Sequence, residues 1–144
     1  MSTPAPPDRF VLDGSVTLAW LFHDEADHYA DAVVARLPAL EMLVPRLWHL
    51  EISNVLLVGE RRGRCSQADT TTWLSYLSAL PIVLDGATET RAWTDTINLA
   101  RQHVLTAYDA AYLELALREG VHLATLDKKL RASAQAAGVV LYQP

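Results

Sequence analysis

Short apolar runs separated by helical segments constrain the fold of this chain more than any other feature of its sequence. Each run is continuously apolar rather than alternating, which is typical of strands buried on both faces of a parallel sheet. The runs are Phe10-Val11-Leu12, Met42-Leu43-Val44, Ile82-Val83-Leu84, residues 121–125 and Val139-Val140-Leu141. Because helical periodicity fills the intervening segments, the sequence predicts a three-layer α/β/α domain with a central, mostly parallel sheet.

Turn and cap residues delimit the expected elements. Pro45 should stop the second strand because proline has no ladder donor. Gly63 and Gly120 stand where left-handed caps would end two of the helices. After a first helix that starts near Val16, helices are expected over residues 26–37, 47–62, 66–80, 88–102, 107–118 and 127–137.

The 144 residues are enough for one domain with a substantial apolar core. Residues 1–8, which are rich in proline, should form a loose tail, and residues 9–144 a single domain. Cys65 is the only cysteine, which excludes an intramolecular disulfide and a cysteine-rich zinc site. With no signal peptide pattern and no run of about 18 apolar residues, we expect a cytoplasmic protein that does not contact the membrane.

The formal net charge of −5 argues against a broad basic surface of the kind that grips duplex nucleic acid. It leaves another route to nucleic acid open. If several acids converge on one site, they would bind divalent cations, and those cations rather than lysines could receive a phosphate.

Asp13 and Asp127 closely follow expected strands, and in an open α/β sheet ligands bind beyond the carboxyl ends of the strands. Each also has a simple structural explanation. Asp13-Gly14-Ser15 is good turn chemistry, and Ser15 could cap the first helix or lie close to anything bound at Asp13. Asp127 would be an excellent N-cap for the last helix.

Glu51 and Asp109 interrupt apolar rows on two helices. Glu51 lies in the row Leu47, Glu51, Val55, Val58, which should face the core, and a buried carboxylate must be neutralised, paired or bound to a metal. Asp109 lies in the row Leu105, Asp109, Tyr112, Leu113, Ala116, although the helix dipole alone could explain an acid in a first turn.

Taken together, the four acids point to one chemistry. Oxygen ligands without histidine or cysteine suit the hard ions Mg²⁺ and Mn²⁺, which bridge carboxylates and substrate phosphates. Such a site can activate a water for attack and stabilise the leaving oxygen of a phosphodiester. The sequence therefore predicts metal-assisted phosphodiester hydrolysis.

Each of the four acids lies in a longer motif. The motifs are Val11-Leu12-Asp13-Gly14-Ser15-Val16, Leu50-Glu51-Ile52-Ser53-Asn54-Val55-Leu56, Thr106-Ala107-Tyr108-Asp109-Ala110-Ala111-Tyr112 and Ala124-Thr125-Leu126-Asp127-Lys128-Lys129-Leu130. In these four motifs, and over almost its whole length, the sequence resembles the PIN-domain nucleases, especially the VapC-type toxins. One departure is Gly14, where the family often has a small residue such as Ala or Ser.

The resemblance implies a PIN fold, Mg²⁺ or Mn²⁺ dependence, endoribonuclease activity on RNA, homodimerisation and inhibition by a cognate antitoxin. Carried over residue by residue, it makes Asp13, Glu51 and Asp109 catalytic metal-binding acids. Asp127 completes the pocket through a direct or water-mediated contact.

Three other functions compete with this interpretation. A phosphatase with an aspartyl-phosphate intermediate also begins with an aspartate after its first strand, but the second acid expected two residues later is Ser15. A non-catalytic nucleic-acid or protein-binding module could use the acids for a structural ion. DNA cleavage stays open because carboxylate-bound metals read phosphates and not sugars.

The arginines Arg61, Arg62 and Arg64 offer a further hypothesis. They could hold RNA phosphates outside the acidic pocket, since arginine forms bidentate phosphate contacts. The alternative, which we favour, is a solvated helix end.

Overall fold

The computed structural model describes residues 9–25, 27–37 and 41–144, so the predicted tail over residues 1–8 lies outside the described residues. Four parallel strands form one sheet in the order β3-β2-β1-β4. They are β1 (Arg9–Leu12), β2 (Glu41–Val44), β3 (Ile82–Leu84) and β4 (His122–Ala124). As expected, β2 ends directly before Pro45.

Helices fill the connections between the strands and follow the last one. They are α1 (Gly14–Leu21), α2 (His28–Val34), α3 (Trp48–Arg61), α4 (Gln67–Ser78), α5 (Thr88–Arg91), α6 (Ile97–His103), α7 (Ala107–Glu119) and α8 (Lys128–Ala136). A 3₁₀ turn (His23–Glu25) precedes α2, and a π-helical turn (Ala92–Thr96) joins α5 to α6. Within the described part of the chain, none of these helices is long and apolar enough to cross a membrane.

Burial along β1 confirms the three-layer arrangement. Phe10, Val11 and Leu12 have no exposed surface, although successive side chains of a strand point to opposite faces. Both faces of the central strand are therefore covered. Caps fix the surrounding helices: Thr106 accepts the backbone N–H of Asp109 at the start of α7, and Gly120 ends that helix with φ of 64°.

Three predicted elements differ from the structure. Val139-Val140-Leu141 is not a strand: the N–H of Val139 donates to the carbonyl of Ala134 at the end of α8 (2.8 Å), and the segment pairs with Leu123 alone, through one bridge. The helix expected over residues 26–37 is shorter, since Asp27 caps it by accepting the backbone N–H of Tyr29 (2.7 Å). The helix expected over residues 88–102 is interrupted by the π-helical turn.

The buried stripe of α3 also differs from the prediction. The row that contains Glu51 is only half-buried, and the residues that face the core are each one position further along the chain: Trp48, Ile52, Leu56 and Gly59. One residue corresponds to about 100° of rotation in an α-helix. Glu51 consequently lies at the border of the core rather than inside it.

A buried ion cluster joins α7 to the end of β3. Arg118 donates to Asp85 through both terminal nitrogens (2.7 and 3.0 Å) and to Glu114 through Nε (2.8 Å). The Asp85 and Glu114 side chains are only 8% and 5% exposed. Burial alone would raise the pKa of Asp85, but hydrogen bonds from Arg118 and its charge lower it below the ordinary value of 3.8.

We predict that Arg118→Met lowers the free energy of unfolding by about 3 to 5 kcal/mol, because it leaves two buried carboxylates without a counter-charge. Arg91→Met is the control, since the Arg91–Asp95 pair is exposed and should contribute under about 1 kcal/mol. Urea titrations of both variants measure the difference. Equal losses would contradict the importance of the buried cluster.

The lowered pKa of Asp85 gives the pH dependence of the same prediction. The ionised carboxylate of Asp85 stabilises the fold fully when the pH is above its ordinary pKa of 3.8. This stabilisation is lost as the pH falls through the lower pKa of Asp85 in the folded protein. The stability difference between the wild type and Arg118→Met should therefore shrink in acid.

Candidate active site

Asp13 is held at the carboxyl end of β1 by both its backbone and its side chain. Its N–H donates to the carbonyl of Ala124 (3.0 Å), and the residue is 7% exposed. Hydroxyls of Ser15 and Thr125 donate to its Oδ2 atom, at 2.6 and 2.7 Å. The carboxylate is therefore buried between the residues that follow β1 and those that follow β4, and each of these segments supplies one hydroxyl donor.

Backbone groups fix the two hydroxyls. The N–H of Leu126 donates to Ser15 Oγ (2.9 Å), and that of Asp127 donates to Thr125 Oγ1 (3.0 Å). Because each oxygen accepts a backbone hydrogen bond, its own proton is directed to Asp13. Of the two alternatives for Ser15, the structure therefore favours proximity to the acid; Asp13 itself occupies the N-cap position of α1.

Glu51 faces this region from the first turn of α3. Its Oε1 atom accepts a hydrogen bond of 2.6 Å from the hydroxyl of Tyr112 on α7. Tyr112 has no exposed surface, whereas Glu51 is half-buried. Burial, followed by the charge of Glu51, raises the pKa of Tyr112, so the phenol stays protonated and keeps its role as a donor.

Asp109 and Asp127 lie at the starts of α7 and α8. Asp109 is half-buried in a first turn, as the dipole interpretation allowed, but its carboxylate also interacts with the other acids. Asp127 is exposed, and its Oδ1 atom accepts the backbone N–H of Leu130 (2.8 Å). The N-cap role predicted for Asp127 is thus confirmed.

The four acids lie close enough for their charges to act on one another. Burial is the main factor that raises the pKa of Glu51, and the charges of Asp13 and Asp109 raise it further. Burial and then the charges of Asp13 and Asp127 raise the pKa of Asp109, while Lys129 opposes this shift. For Asp13 burial outweighs the hydroxyl donors, so its pKa is raised as well.

The donor set suits a hard divalent cation. All four acids offer oxygen, and repulsion among them is what a cation would relieve. Across residues 9–25, 27–37 and 41–144, no three acidic, histidine or cysteine side chains are drawn together tightly enough to enclose an ion. Mg²⁺ usually binds through one or two carboxylates and retains waters, so an open arrangement of acids fits it.

Arg64, proposed from the sequence as an RNA contact, is engaged elsewhere. Its Nη2 atom donates to both carboxylate oxygens of Asp24 (2.9 Å each), and its guanidinium lies 4.2 Å from the ring centroid of Phe22. This favours the structural alternative for Arg64. Arg61 and Arg62 are exposed, and their contact with RNA stays a hypothesis.

Two residues of this site were missed by sequence reasoning. From the sequence, Thr125 is identified only as the end of a strand and a member of a motif, although it stands two residues before Asp127 and directly after β4. Tyr112 is identified only in an apolar row and a motif, yet it follows Asp109 by three residues, on the same helix face. A hydroxyl two or three residues from a candidate acid is the signal that would have found both.

Comparison with known proteins decides the family. A family model described as the PIN domain matches residues 10–135. The chain belongs to the PIN domain family. The resemblance carried by the four motifs is thereby confirmed.

Curated relatives of this PIN domain carry ribonuclease names. Ribonuclease VapC3 of Pyrobaculum aerophilum is 30% identical over 122 residues, which cover 85% of this chain and 92% of the relative. Ribonuclease VapC3 of Mycobacterium tuberculosis is 29% identical over 131 residues, which cover 90% of each chain.

Solved structures share the PIN fold. Mycobacterium tuberculosis VapC20, a toxin that cleaves the sarcin-ricin loop, gives a TM-score of 0.65 at 18% identity and covers 94% of this chain and 99% of its own. A chain of a toxin-antitoxin complex from Klebsiella pneumoniae gives a TM-score of 0.60 at 17% identity, with coverage of 93% and 98%. At such identities the likeness concerns the fold.

We predict that, in EDTA at neutral pH, Asp13→Asn melts a few degrees above the wild type. Asparagine removes a buried charge but still offers an oxygen to Ser15 and Thr125. The pKa of Asp13 is raised on folding, so its ionised form destabilises the wild type, and the difference should close as the pH falls through the raised value.

Glu41→Gln is the control for this melting experiment. It removes one negative charge from an exposed position at the amino end of β2, away from the carboxyl ends of the strands. Thermal melts by circular dichroism compare the variants. If the wild type melts at a higher temperature than Asp13→Asn in EDTA, the buried charge of Asp13 does not destabilise the folded protein, and the prediction is wrong.

Proposed function

We propose that this PIN domain is a metal-dependent endoribonuclease that hydrolyses RNA phosphodiesters and acts as the toxin of a toxin–antitoxin pair. The observation that supports the proposal is that Asp13, Glu51 and Asp109 are all at least half-buried and lie close enough for charges to act between them, and the pKa of each is raised. Carboxylates perturbed by burial and by neighbouring charges of the same sign are candidates for a functional site. The ribonuclease names of the relatives supply the reaction class.

Asp13, Glu51 and Asp109 are the residues we assign as ligands of Mg²⁺ or Mn²⁺. Asp127, whose Oδ1 atom is occupied at the helix cap, would complete the pocket directly or through a water. A cation held by these acids would supply two things: a lowered pKa for a bound water and positive charge beside the phosphodiester.

The chain's own residues prepare the pocket for that chemistry. Ser15 and Thr125 hold Asp13 in one orientation, so its carboxylate does not have to reorganise when substrate arrives. The negative charges of the four acids repel phosphate unless a cation is present, and RNA binding should therefore depend on metal. Lys129, whose charge acts on Asp109, lies at the edge of the same pocket.

An antitoxin protein is the partner we propose, on the basis of the toxin-antitoxin complex among the structural neighbours. A homodimer is the second assembly we propose. Its support is a set of large apolar side chains exposed on α7 and on the segments before it: Trp93 (90%), Val104 (73%) and Tyr108 (65%). The π-helical turn that carries Trp93 packs against α7, which carries Tyr108.

Cleavage of total RNA is the deciding experiment. Purified protein free of antitoxin should produce discrete fragments in Mg²⁺ or Mn²⁺ and none in EDTA. Asp13→Asn, Glu51→Gln and Asp109→Asn should each lower the rate by about 100-fold or more, since even residues that only support metal ligands cost about 10 to 100-fold.

Glu41→Gln is again the matched control and should cleave at the wild-type rate. DNA of the same sequence as a cleaved RNA forms a separate arm, and its cleavage would redirect the proposal to DNA. If folded protein that binds Mn²⁺ cleaves neither, a non-catalytic binding module becomes the better interpretation.

We predict that Trp93→Ser weakens self-association by about 10-fold or more, because large aromatic side chains dominate interface energies. Val140→Ser changes another exposed apolar residue, on the segment beside β4, and should leave the assembly unchanged. Sedimentation equilibrium measures both. A wild type that is monomeric at high concentration would contradict the proposed homodimer.

A further inference from the structure

We propose that Tyr112 is a positioning residue that holds Glu51 in the orientation required for cation binding. This inference rests on the proposed function, because it assigns Tyr112 a role toward one of the proposed metal ligands. The observation behind it is the hydrogen bond of 2.6 Å from the Tyr112 hydroxyl to Glu51 Oε1.

The donor is rigid and the acceptor is not. Tyr112 has no exposed surface, so core packing fixes its ring, whereas Glu51 is half-buried at the border of the core. A glutamate side chain loses more conformational freedom when it is fixed than most side chains do. A fixed phenol selects one conformer of Glu51 before any cation arrives.

The bond leaves part of the carboxylate for a ligand. Oε1 is occupied by Tyr112, while Oε2 of Glu51 accepts no hydrogen bond from any described residue. Partners of this kind, which bond to one atom of a metal ligand and orient the other, are general at metal sites.

Helix spacing gives α7 a double role. Asp109 and Tyr112 are three residues apart and therefore lie on one face of the helix. The Tyr112 hydroxyl also lies close to α1, since a Cβ added at Gly14, next to Asp13, would be 4.0 Å from it. One face of α7 thus provides an acid directly and fixes a second acid from α3.

Core packing alone is the competing explanation, because a buried tyrosine hydroxyl needs some partner. Tyr112→Phe separates the two roles, since it keeps the ring and removes only the hydroxyl. Tyr29→Phe is the matched control: the Tyr29 hydroxyl donates to the carbonyl of Tyr142 at 2.7 Å, on a residue with no assigned part in the site.

Mn²⁺ binding to the RNA-free protein, followed by electron paramagnetic resonance of the free ion, is the first measurement. Tyr112→Phe should weaken binding by about 10-fold or more, and Tyr29→Phe should leave it unchanged. Cleavage by Tyr112→Phe should recover at saturating Mn²⁺. Equal affinity in the wild type and Tyr112→Phe would overturn the proposal, and so would equal losses in both phenylalanine variants.

A second measurement uses the wild-type chain and does not depend on a variant that folds. The hydroxyl proton of Tyr112 should shift in the proton magnetic resonance spectrum when Mg²⁺ is added, and that of Tyr29 should not. If the protein binds Mg²⁺ and the resonance of the Tyr112 hydroxyl proton does not shift, the positioning role of Tyr112 is overturned, whereas the proposed function is not. A wild type that neither binds cations nor cleaves RNA would instead remove the proposed function, and this inference with it.

Discussion

The hydrogen bonds around the Asp13 carboxylate connect parts of the chain that are far apart in sequence. Register between β1 and β4 brings the N–H of Asp13 to the carbonyl of Ala124, and this places Thr125 beside the carboxylate. The hydroxyls of Ser15 and Thr125 then keep a buried charge supplied with donors. Because an unsatisfied buried carboxylate is costly, the site can exist only where the two strands are correctly paired.

Much of the fold could be predicted from the sequence, since continuous apolar runs between helical segments leave few alternatives to a covered parallel sheet. The errors have local causes. Val139-Val140-Leu141 has the composition of a strand, but the N–H of Val139 is used at the end of α8, and only one bridge forms, between Leu141 and Leu123. The core-facing row of α3 was predicted one residue too early because the rows that begin at Leu47 and at Trp48 are both largely apolar, and packing decides between them.

The sequence singles out the candidate acids and not the residues that support them. Glu51 and Asp109 stand out because a carboxylate in an apolar row demands an explanation, and Asp13 stands out because it follows a strand. Thr125 and Tyr112 do not stand out, because threonine is ordinary in a strand and tyrosine is ordinary in a core. Their hydroxyls acquire meaning only through the contacts to Asp13 and Glu51, which the fold creates.

The order in which the chain is synthesised gives the Ser15–Thr125 pair one more consequence. These hydroxyls are 110 residues apart, and their oxygens lie 3.3 Å from each other. A nascent chain that has reached the end of α7 already contains Asp13, Glu51 and Asp109, but not β4 or the hydroxyl that follows it. Domains with such distant contacts complete their folding late, so a truncated product of translation would lack an assembled pocket.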